Sequence, residues 1–246
     1  MTIIRSLIFS QFTDLDFGLS TKYGLNRINP HYFNTSLSVG DIPEVVEENR
    51  NNFYGYFKLN KTDVAIQKQE HTDIVTKVEK AGFIGESDAM ITDRINIGLI
   101  VSTADCGNIY VYDNENRVIA GIHSGWKGTA KRIVYKTIEI MKNDYNCKPK
   151  NLFVYMGPSI SKDSFEVKED VKSLFENKYI HFTNSKIFVN LPQYNFDMLK
   201  EQNIPSKNIQ ISNLCSFREK NLLQSYRREG KFSGRAFGLI VLKEKR

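Results

Sequence analysis

The chain has few cysteines, and their number and spacing exclude a disulfide-rich secreted scaffold. Only three occur among 246 residues, at Cys106, Cys147 and Cys215, which is an odd number without a CxxC pair. Small secreted domains instead carry an even number of cysteines that close several short loops. The pattern indicates a reducing compartment, and we expect the protein to be cytoplasmic.

Long apolar runs and clusters of basic residues are also missing. The chain begins MTIIRSLIFSQFTD, and the apolar stretch in it is too short and too often interrupted by polar residues for a signal peptide. No run of about eighteen apolar residues follows. We therefore expect no membrane span and no membrane partner. Lysine and arginine outnumber aspartate and glutamate by 34 to 28, but they are scattered. Such a distribution suits small anionic ligands and does not predict nucleic-acid binding.

The sequence is rich in hydrophobic residues, which make up 41% of the chain, and 12% of its residues are aromatic. This is enough for a packed core. Apolar residues at helical spacing predict helices beginning near Asp41, Ala130, Asp163 and Asn190. Strands and helices do not alternate strictly, which favours an α+β fold of mixed β-sheets with flanking helices, in one domain over residues 1–246. The predicted strands are DVAIQ (63–67), GLIVST (98–103), NIYVY (108–112), RVIAGIH (117–123), LFVYMG (152–157), KIFVN (186–190) and AFGLIVL (236–242).

The segment CGNIYVYDNENRVIAGIH, residues 106–123, predicts a β-hairpin, because two strand-like runs flank DNEN, a polar cluster of turn-forming residues. If the loop has an even number of residues and is centred between Asn114 and Glu115, Cys106 lies directly opposite His123. Opposed residues on neighbouring strands have Cβ atoms roughly 4.5–5.5 Å apart, so a thiol and an imidazole would meet at the open end. A loop of odd length would change this register.

Cys106 and His123 would bind a metal ion if a third ligand joined them, and His71 in QKQEHTDIV is the candidate. Two imidazoles and one thiolate leave a tetrahedral zinc with an open fourth position, which is the arrangement of catalytic sites. The separations of 35 and 17 residues form no compact ligand motif. A buried, inert cysteine and a surface histidine therefore stay open as the alternative.

The hairpin is followed by SGWKGTAKRIV, a glycine-bearing turn that leads into a predicted helix with Thr129 as its N-cap. Ser124, Lys127 and the free N–H groups at the start of the helix would accept an oxyanion there. The spacing of a P-loop is missing, so a plain strand-to-helix turn is the alternative.

A second candidate anion site is the basic segment SYRREGKFSGR, residues 225–235. Guanidinium groups bind phosphate through two parallel hydrogen bonds, so Arg227, Arg228 and Arg235 would suit such a ligand. A solvated loop before the last predicted strand is the alternative.

Six segments together resemble the YfiH/YlmD family, also described as a multicopper polyphenol oxidase (laccase-type) family, whose members are now regarded as purine nucleoside phosphorylases. They occur in one consistent order over nearly the whole chain. The segments are QEHTD (69–73), ESDAMIT (86–92), TADC (103–106), GIHSGWKGT (121–129), MGPSISKDSFEV (156–167) and SYRREGKFSGR (225–235).

The resemblance implies a YfiH-like fold and one zinc ion per chain, bound by His71, Cys106 and His123, with copper as the less fitting metal. It implies phosphate-dependent cleavage of adenosine, inosine, guanosine and methylthioadenosine, with adenosine deaminase activity besides. Purine nucleosides and inorganic phosphate are then the expected partners. The residues expected to act on them are Asp105 and Lys127 as catalytic residues, and Gln69, Ser124, Arg227 and Arg228 as substrate-binding residues.

Other functions stay open on the sequence. A copper phenol oxidase of the multicopper type needs many histidine ligands, and four histidines in total cannot hold its copper centres. A hydrolase that uses Cys106 and His123 as a nucleophile pair is chemically sensible. A binding role without catalysis is the third alternative.

Overall fold

Two six-stranded β-sheets form the framework of the protein, as seen in a computed structural model that describes residues 1–245. The first sheet has the strand order β1 (Ile3–Ile4), β2 (Leu15–Ser20), β15 (Ala236–Leu242), β7 (Gly98–Thr103), β3 (Val64–Lys68) and β5 (Gly82–Glu86). The second has the order β14 (Ile209–Ile211), β10 (Leu152–Met156), β8 (Gly107–Asp113), β9 (Val118–Ser124), β6 (Ala89–Thr92) and β4 (Val75–Lys77). A small third sheet has the order β11 (Glu166–Val167), β13 (Lys186–Val189) and β12 (Ile180–Thr183).

Both large sheets are mixed, as the sequence predicts. In the first sheet β3 runs parallel to β5 and β7, and in the second β4 is parallel to β6 and β10 to β14. The other neighbouring strands of these sheets are antiparallel. The predicted α+β fold is therefore confirmed, and each of the seven predicted strands is present.

The helices are few and mostly short. They are α1 (Pro43–Tyr56), α2 (Trp126–Ala130), α3 (Ile133–Tyr145), α4 (Glu169–Lys172), α5 (Leu191–Glu201) and α6 (Tyr226–Glu229). The helix predicted near Asn190 is confirmed as α5, and the Asn190 side chain caps it by accepting the Gln193 N–H. The helix predicted after Asp163 is only the four residues of α4. Over residues 1–245, no helix combines the length and the apolar character that crossing a membrane requires.

The core lies in layers on both faces of the sheets. Along β8, successive side chains point to opposite faces, as in any strand. Ile109 and Val111 pack toward α3 and α5, whereas Tyr110 and Tyr112 pack toward the first sheet. The outer face of the first sheet is covered by α1. Strands that are buried on both faces read as continuous apolar runs, which makes β8 and β15 recognisable in the sequence.

The helix predicted from Ala130 begins only at Ile133. Residues 126–130 form the separate helix α2, and Arg132 follows in the left-handed conformation with a φ of 64°. A left-handed residue cannot continue a right-handed helix. Thr129 is therefore not the N-cap of α3.

The predicted hairpin is confirmed, but its register is wrong. In the pairing of β8 with β9, Asn108 and not Cys106 lies opposite His123. The loop comprises residues 114–117, because the Asp113 side chain accepts two N–H groups within it at 2.9 and 3.0 Å. Since the displacement is an even number of residues, the side chains keep their faces of the sheet.

Candidate metal centre and active site

The three predicted metal ligands meet at one end of the second sheet. His123 belongs to β9, Cys106 directly precedes β8, and His71 lies in the loop after β3. One nitrogen of each imidazole and the thiol sulfur all lie within 4.8 Å of one another. The Cys106 sulfur is 3.6 Å from His71 Nε2, and the two histidine rings have their centroids 5.0 Å apart. These groups are therefore placed around a single point.

Asp88 orients both histidines from a position without exposed surface. Its Oδ1 lies 2.6 Å from His123 Nδ1, which leaves Nε2 as the free nitrogen of that ring. The same carboxylate accepts the backbone N–H of His71 at 3.2 Å and that of Thr72 at 2.6 Å. Carboxylates in this position fix the tautomer of a metal-binding imidazole. The sequence analysis does not identify Asp88 as a functional residue. The feature of the sequence that could have indicated it is a carboxylate directly before the fully buried strand β6.

The charged forms of these groups stabilise one another. Burial alone would raise the pKa of the Cys106 thiol, but the imidazoles of His123 and His71 lower it to about 6. Burial would likewise lower the pKa of His123, but the Cys106 thiolate and the Asp88 carboxylate raise it to about 9. Cys106 is therefore a thiolate at neutral pH, and the thiolate is the form that binds metals and attacks electrophiles.

Gly125 has no side chain, and the space that a side chain would fill is occupied by His71 and Cys106. A Cβ atom built at this position would lie 2.4 Å from His71 Cδ2 and 3.1 Å from the Cys106 sulfur. Any other residue would therefore displace two of the candidate ligands at once.

Asp105 ties the loop that carries Cys106 to the C-terminal part of the chain. Its backbone has a φ of 88°, a conformation that is strained for a residue with a Cβ atom. One carboxylate oxygen accepts the Ser216 hydroxyl at 2.6 Å, and the other accepts the Arg227 backbone N–H at 2.7 Å. The structure thus brings Asp105 to the cluster, whereas its catalytic role stays a prediction.

Three other predicted residues lie within four positions of a candidate ligand along the chain, and their side chains differ in whether they can still bind a ligand. The Gln69 side-chain amide donates to the Ser102 carbonyl at 2.7 Å and accepts the Ser102 N–H at 2.8 Å. Ser124 has no exposed surface, and its hydroxyl donates to Asn195 Oδ1 at 2.9 Å. Lys127 is exposed and forms no ion pair within residues 1–245. Of the three, Lys127 alone presents a charged group that is free to meet a ligand.

The predicted arginines also differ from each other. All five N–H donors of the Arg228 guanidinium are engaged, with backbone carbonyls of residues 216–223 and with Glu229. It has no donor left for a phosphate, contrary to what the sequence suggests. Arg227 is exposed, and its guanidinium donates to the Glu166 carbonyl at 2.7 Å. It retains donors for a ligand.

Within residues 1–245, His71, Cys106 and His123 form the one group of three or more ligand residues close enough to hold a metal ion. Of the other two histidines, His181 lies 3.6 Å from Asp163, and His31 belongs to the loop before α1. The described residues thus provide for one metal ion and not for several copper centres.

Known proteins resemble this chain over nearly its whole length. A family model described as multi-copper polyphenol oxidoreductase laccase matches residues 13–243. A purine nucleoside phosphorylase of Clostridium acetobutylicum is 34% identical over 240 residues, which cover 96% of both chains. The solved structure of the hypothetical protein YfiH of Bacillus licheniformis has a TM-score of 0.88 and 27% identity over 93% of each chain. YlmD from Geobacillus stearothermophilus has a TM-score of 0.90 at 23% identity, covering 97% of this chain and 94% of that one.

Proposed function

The chain belongs to the multi-copper polyphenol oxidoreductase laccase family, and we propose that it is a zinc-dependent purine nucleoside phosphorylase. The observation that carries the proposal is the cluster of His71, Cys106 and His123, with ligand atoms within 4.8 Å of one another. Support comes from relatives that are named purine nucleoside phosphorylases.

The chemistry of the cluster fits one zinc ion better than copper. Two imidazoles and one thiolate form a borderline-soft donor set that suits zinc and leaves a fourth position open. The lowered pKa of Cys106 supplies the thiolate at neutral pH, and Asp88 presets the His123 tautomer. A multicopper centre would need ligands that residues 1–245 do not bring together.

In phosphorolysis, a phosphate oxygen bonds to the anomeric carbon of ribose while the bond from that carbon to the purine nitrogen breaks. The protein must attract phosphate, hold it in line with the breaking bond and stabilise the departing purine. We assign the attraction of phosphate to Lys127 and Arg227, the exposed cations of the predicted set. Asp105 holds the loop of Cys106 in place, and its carboxylate is the candidate proton shuttle beside the cluster, which would pass a proton from phosphate to the departing purine. Zinc, when bound, would supply a Lewis acid there.

Gln69, Ser124 and Arg228 are assigned to holding the walls of the site, because their polar atoms bond to other parts of the protein. The proposed substrates are adenosine, inosine, guanosine and methylthioadenosine, with inorganic phosphate as the second substrate and adenosine deamination as a further activity. The proposal includes a single cytoplasmic domain over residues 1–246, without nucleic-acid or membrane partners.

The proposal is tested by incubating zinc-loaded protein with adenosine or inosine, with and without phosphate, and separating the products by chromatography. We expect free base and ribose 1-phosphate in equal amounts, and only when phosphate is present. Inosine formed from adenosine without phosphate would report the deaminase activity. Free ribose in place of ribose 1-phosphate, or no turnover of any nucleoside by zinc-loaded protein, would refute the phosphorylase.

A matched pair of variants ties the activity to the cluster. His71→Ala should abolish turnover because it removes one ligand. His181→Ala is the control, because His181 is also a half-buried histidine but lies in β12 next to Asp163. It should retain wild-type turnover, and equal loss in both variants would contradict the assignment.

A second candidate function is a hydrolase that uses Cys106 as nucleophile, and the lowered pKa of this thiol beside His123 favours it. The two functions respond oppositely to metal removal. Chelation should abolish a zinc-dependent phosphorylase, whereas it should expose and activate a thiolate nucleophile.

A further inference from the structure

Arg235 is the partly buried arginine that lacks an acidic partner. Of the ten arginines within residues 1–245, eight form ion pairs with aspartate or glutamate. The two others are Arg227, which is exposed, and Arg235, which is half-buried. Shielding a charge from water is costly unless an opposite charge or hydrogen bonds compensate for it. Arg235 is therefore the guanidinium of the described chain that most needs an anion.

The strand register places Arg235 beside the metal cluster. β15 runs antiparallel to β7, and Ala236 pairs with Thr103. Arg235, one residue before β15, therefore lies next to the chain that leaves β7 and carries Asp105 and Cys106. The charges of Cys106, Asp105 and Tyr226 act on Arg235, and the first two of these residues belong to this segment.

The backbone of Arg235 is held in place from a different part of the chain. Its N–H donates to Asn34 Oδ1 at 2.9 Å, and its carbonyl accepts the Thr35 hydroxyl at 2.8 Å. The preceding Gly234 permits this approach, because a Cβ atom there would lie 2.6 Å from the His31 carbonyl oxygen. Such a fixed position is what a binding residue needs and an ordinary surface arginine lacks.

The guanidinium itself is only half used. Nη1 donates to the Ser233 and Gly234 carbonyls at 2.8 and 3.0 Å, and the group lies 5.4 Å from the centroid of the Tyr226 ring. Within residues 1–245, Nε and Nη2 have no hydrogen-bond partner. Nε–H and one Nη2–H point the same way in a guanidinium and form the fork that binds two oxygens of one oxyanion.

We propose that Arg235 binds a tetrahedral oxyanion beside the metal cluster through its Nε and Nη2 donors. The inference rests on the proposed function in identifying this anion as the inorganic phosphate that phosphorolysis consumes. The phosphate group of a nucleotide has the same chemistry and is the other source of such an anion. Arg235 thereby takes the role that the sequence suggested for Arg228, and it joins Arg227 as an arginine of segment 225–235 that meets the ligand.

The experiment is calorimetric titration of zinc-loaded protein with inorganic phosphate and, separately, with adenosine monophosphate. Arg235→Met keeps much of the side-chain volume and removes the charge, and it should weaken phosphate binding by about ten- to hundred-fold. Arg235→Lys keeps the charge without the fork and should fall between wild type and Arg235→Met. The KM for phosphate should rise in parallel, and the KM for nucleoside should change by less than about threefold.

Arg218→Ala is the control, because Arg218 belongs to the same C-terminal part of the chain and forms an exposed ion pair with Asp163. It should bind phosphate as the wild type does, and thermal unfolding verifies that every variant is folded. A phosphate Kd in Arg235→Lys and Arg235→Met within twofold of wild type would overturn the inference, as would adenosine monophosphate binding that needs Arg235 while phosphate does not bind. Phosphate binding that depends on Arg235, without any formation of ribose 1-phosphate, would refute the proposed function and leave this site standing.

Discussion

Among single residues, Cys106 matters most to the site, because the neighbouring groups lower the pKa of its thiol. Cys106 lies between two imidazoles. Burial is the largest single influence on its pKa and raises it, but the charges and hydrogen bonds of His123 and His71 together outweigh that effect. Asp88 in turn keeps His123 in the orientation that makes this pairing. Cys147 shows the opposite outcome, because burial raises the pKa of its thiol and no histidine opposes the effect. Two cysteines of one chain therefore differ in chemistry through their neighbours alone.

In the metal-free protein, alkylation of Cys106 should have its midpoint near pH 6, because the thiolate is the reactive form and its pKa is lowered to about 6. The pKa is below that of a free thiol, so the reactive form is present above this pH and is lost as the pH falls through it. Pulses of iodoacetamide at several pH values, followed by mass spectrometry, measure the modification. Cys147 is the internal control and should stay unmodified. A Cys106 midpoint near the ordinary thiol value of about 8.5 would contradict this account.

At the scale of secondary structure, local patterns predict elements better than they predict contacts. β8 and β9 follow from apolar runs around a turn, but their register depends on the hydrogen bonds of the Asp113 side chain, which no pattern reveals. The sequence analysis does not predict β2, because Gly18 is unfavourable in a strand. In the structure a glycine is needed there, since Ile3 and Phe57 fill the space where a Cβ atom would lie. That His71, Cys106 and His123 lie close enough together to hold a metal ion could be predicted from residue type and resemblance. Asp88 could not, because its role exists only once His71 and His123 are brought to it.

The turn between β9 and α2 is tested by Gly125→Ala. The new Cβ atom would overlap His71 and the Cys106 sulfur at 2.4 and 3.1 Å, so zinc affinity should fall by at least about tenfold. Gly55→Ala in α1 is the control, because a Cβ atom there meets nothing within 4 Å. It should leave zinc affinity unchanged and stabilise the protein by up to about 1 kcal/mol, since alanine favours helix. Competition with a chromophoric chelator measures the affinity, and equal affinity in both variants would refute the steric argument.

At the scale of the whole molecule, the two ends of the chain are joined close to the site. Lys22 is 3% exposed, and its ammonium pairs with Glu229 and donates to the Lys220 carbonyl at 3.1 Å. Glu229 also pairs with Arg228 at 3.0 Å. The network holds the segment that carries Arg227 and Arg235 against the N-terminal loop, across some two hundred positions of sequence.

Glu229→Gln should reduce the free energy of unfolding at pH 7 by about 3 kcal/mol, because it leaves the buried ammonium of Lys22 without its counter-charge. Glu48→Gln, which removes the exposed partner of Arg27, should cost less than about 1 kcal/mol. Urea denaturation measures both variants, and equal losses would contradict the assigned role. Burial raises the pKa of Glu229, but Lys22 and Arg228 lower it overall. Its contribution is therefore lost as the pH falls through the folded-state pKa, and the difference from wild type should shrink in acid.

Elemental analysis of the purified protein by mass spectrometry shows whether His71, Cys106 and His123 hold one zinc ion. We expect close to one zinc per chain in the wild type, and almost none in Cys106→Ala, which lacks one of the three ligands. Cys215→Ser should keep the zinc, because the Cys215 sulfur instead accepts the Ser161 N–H at 3.3 Å, outside the cluster. Zinc at wild-type stoichiometry in Cys106→Ala would show that Cys106 is not a ligand, and several copper ions per chain in the wild type would refute the single zinc site.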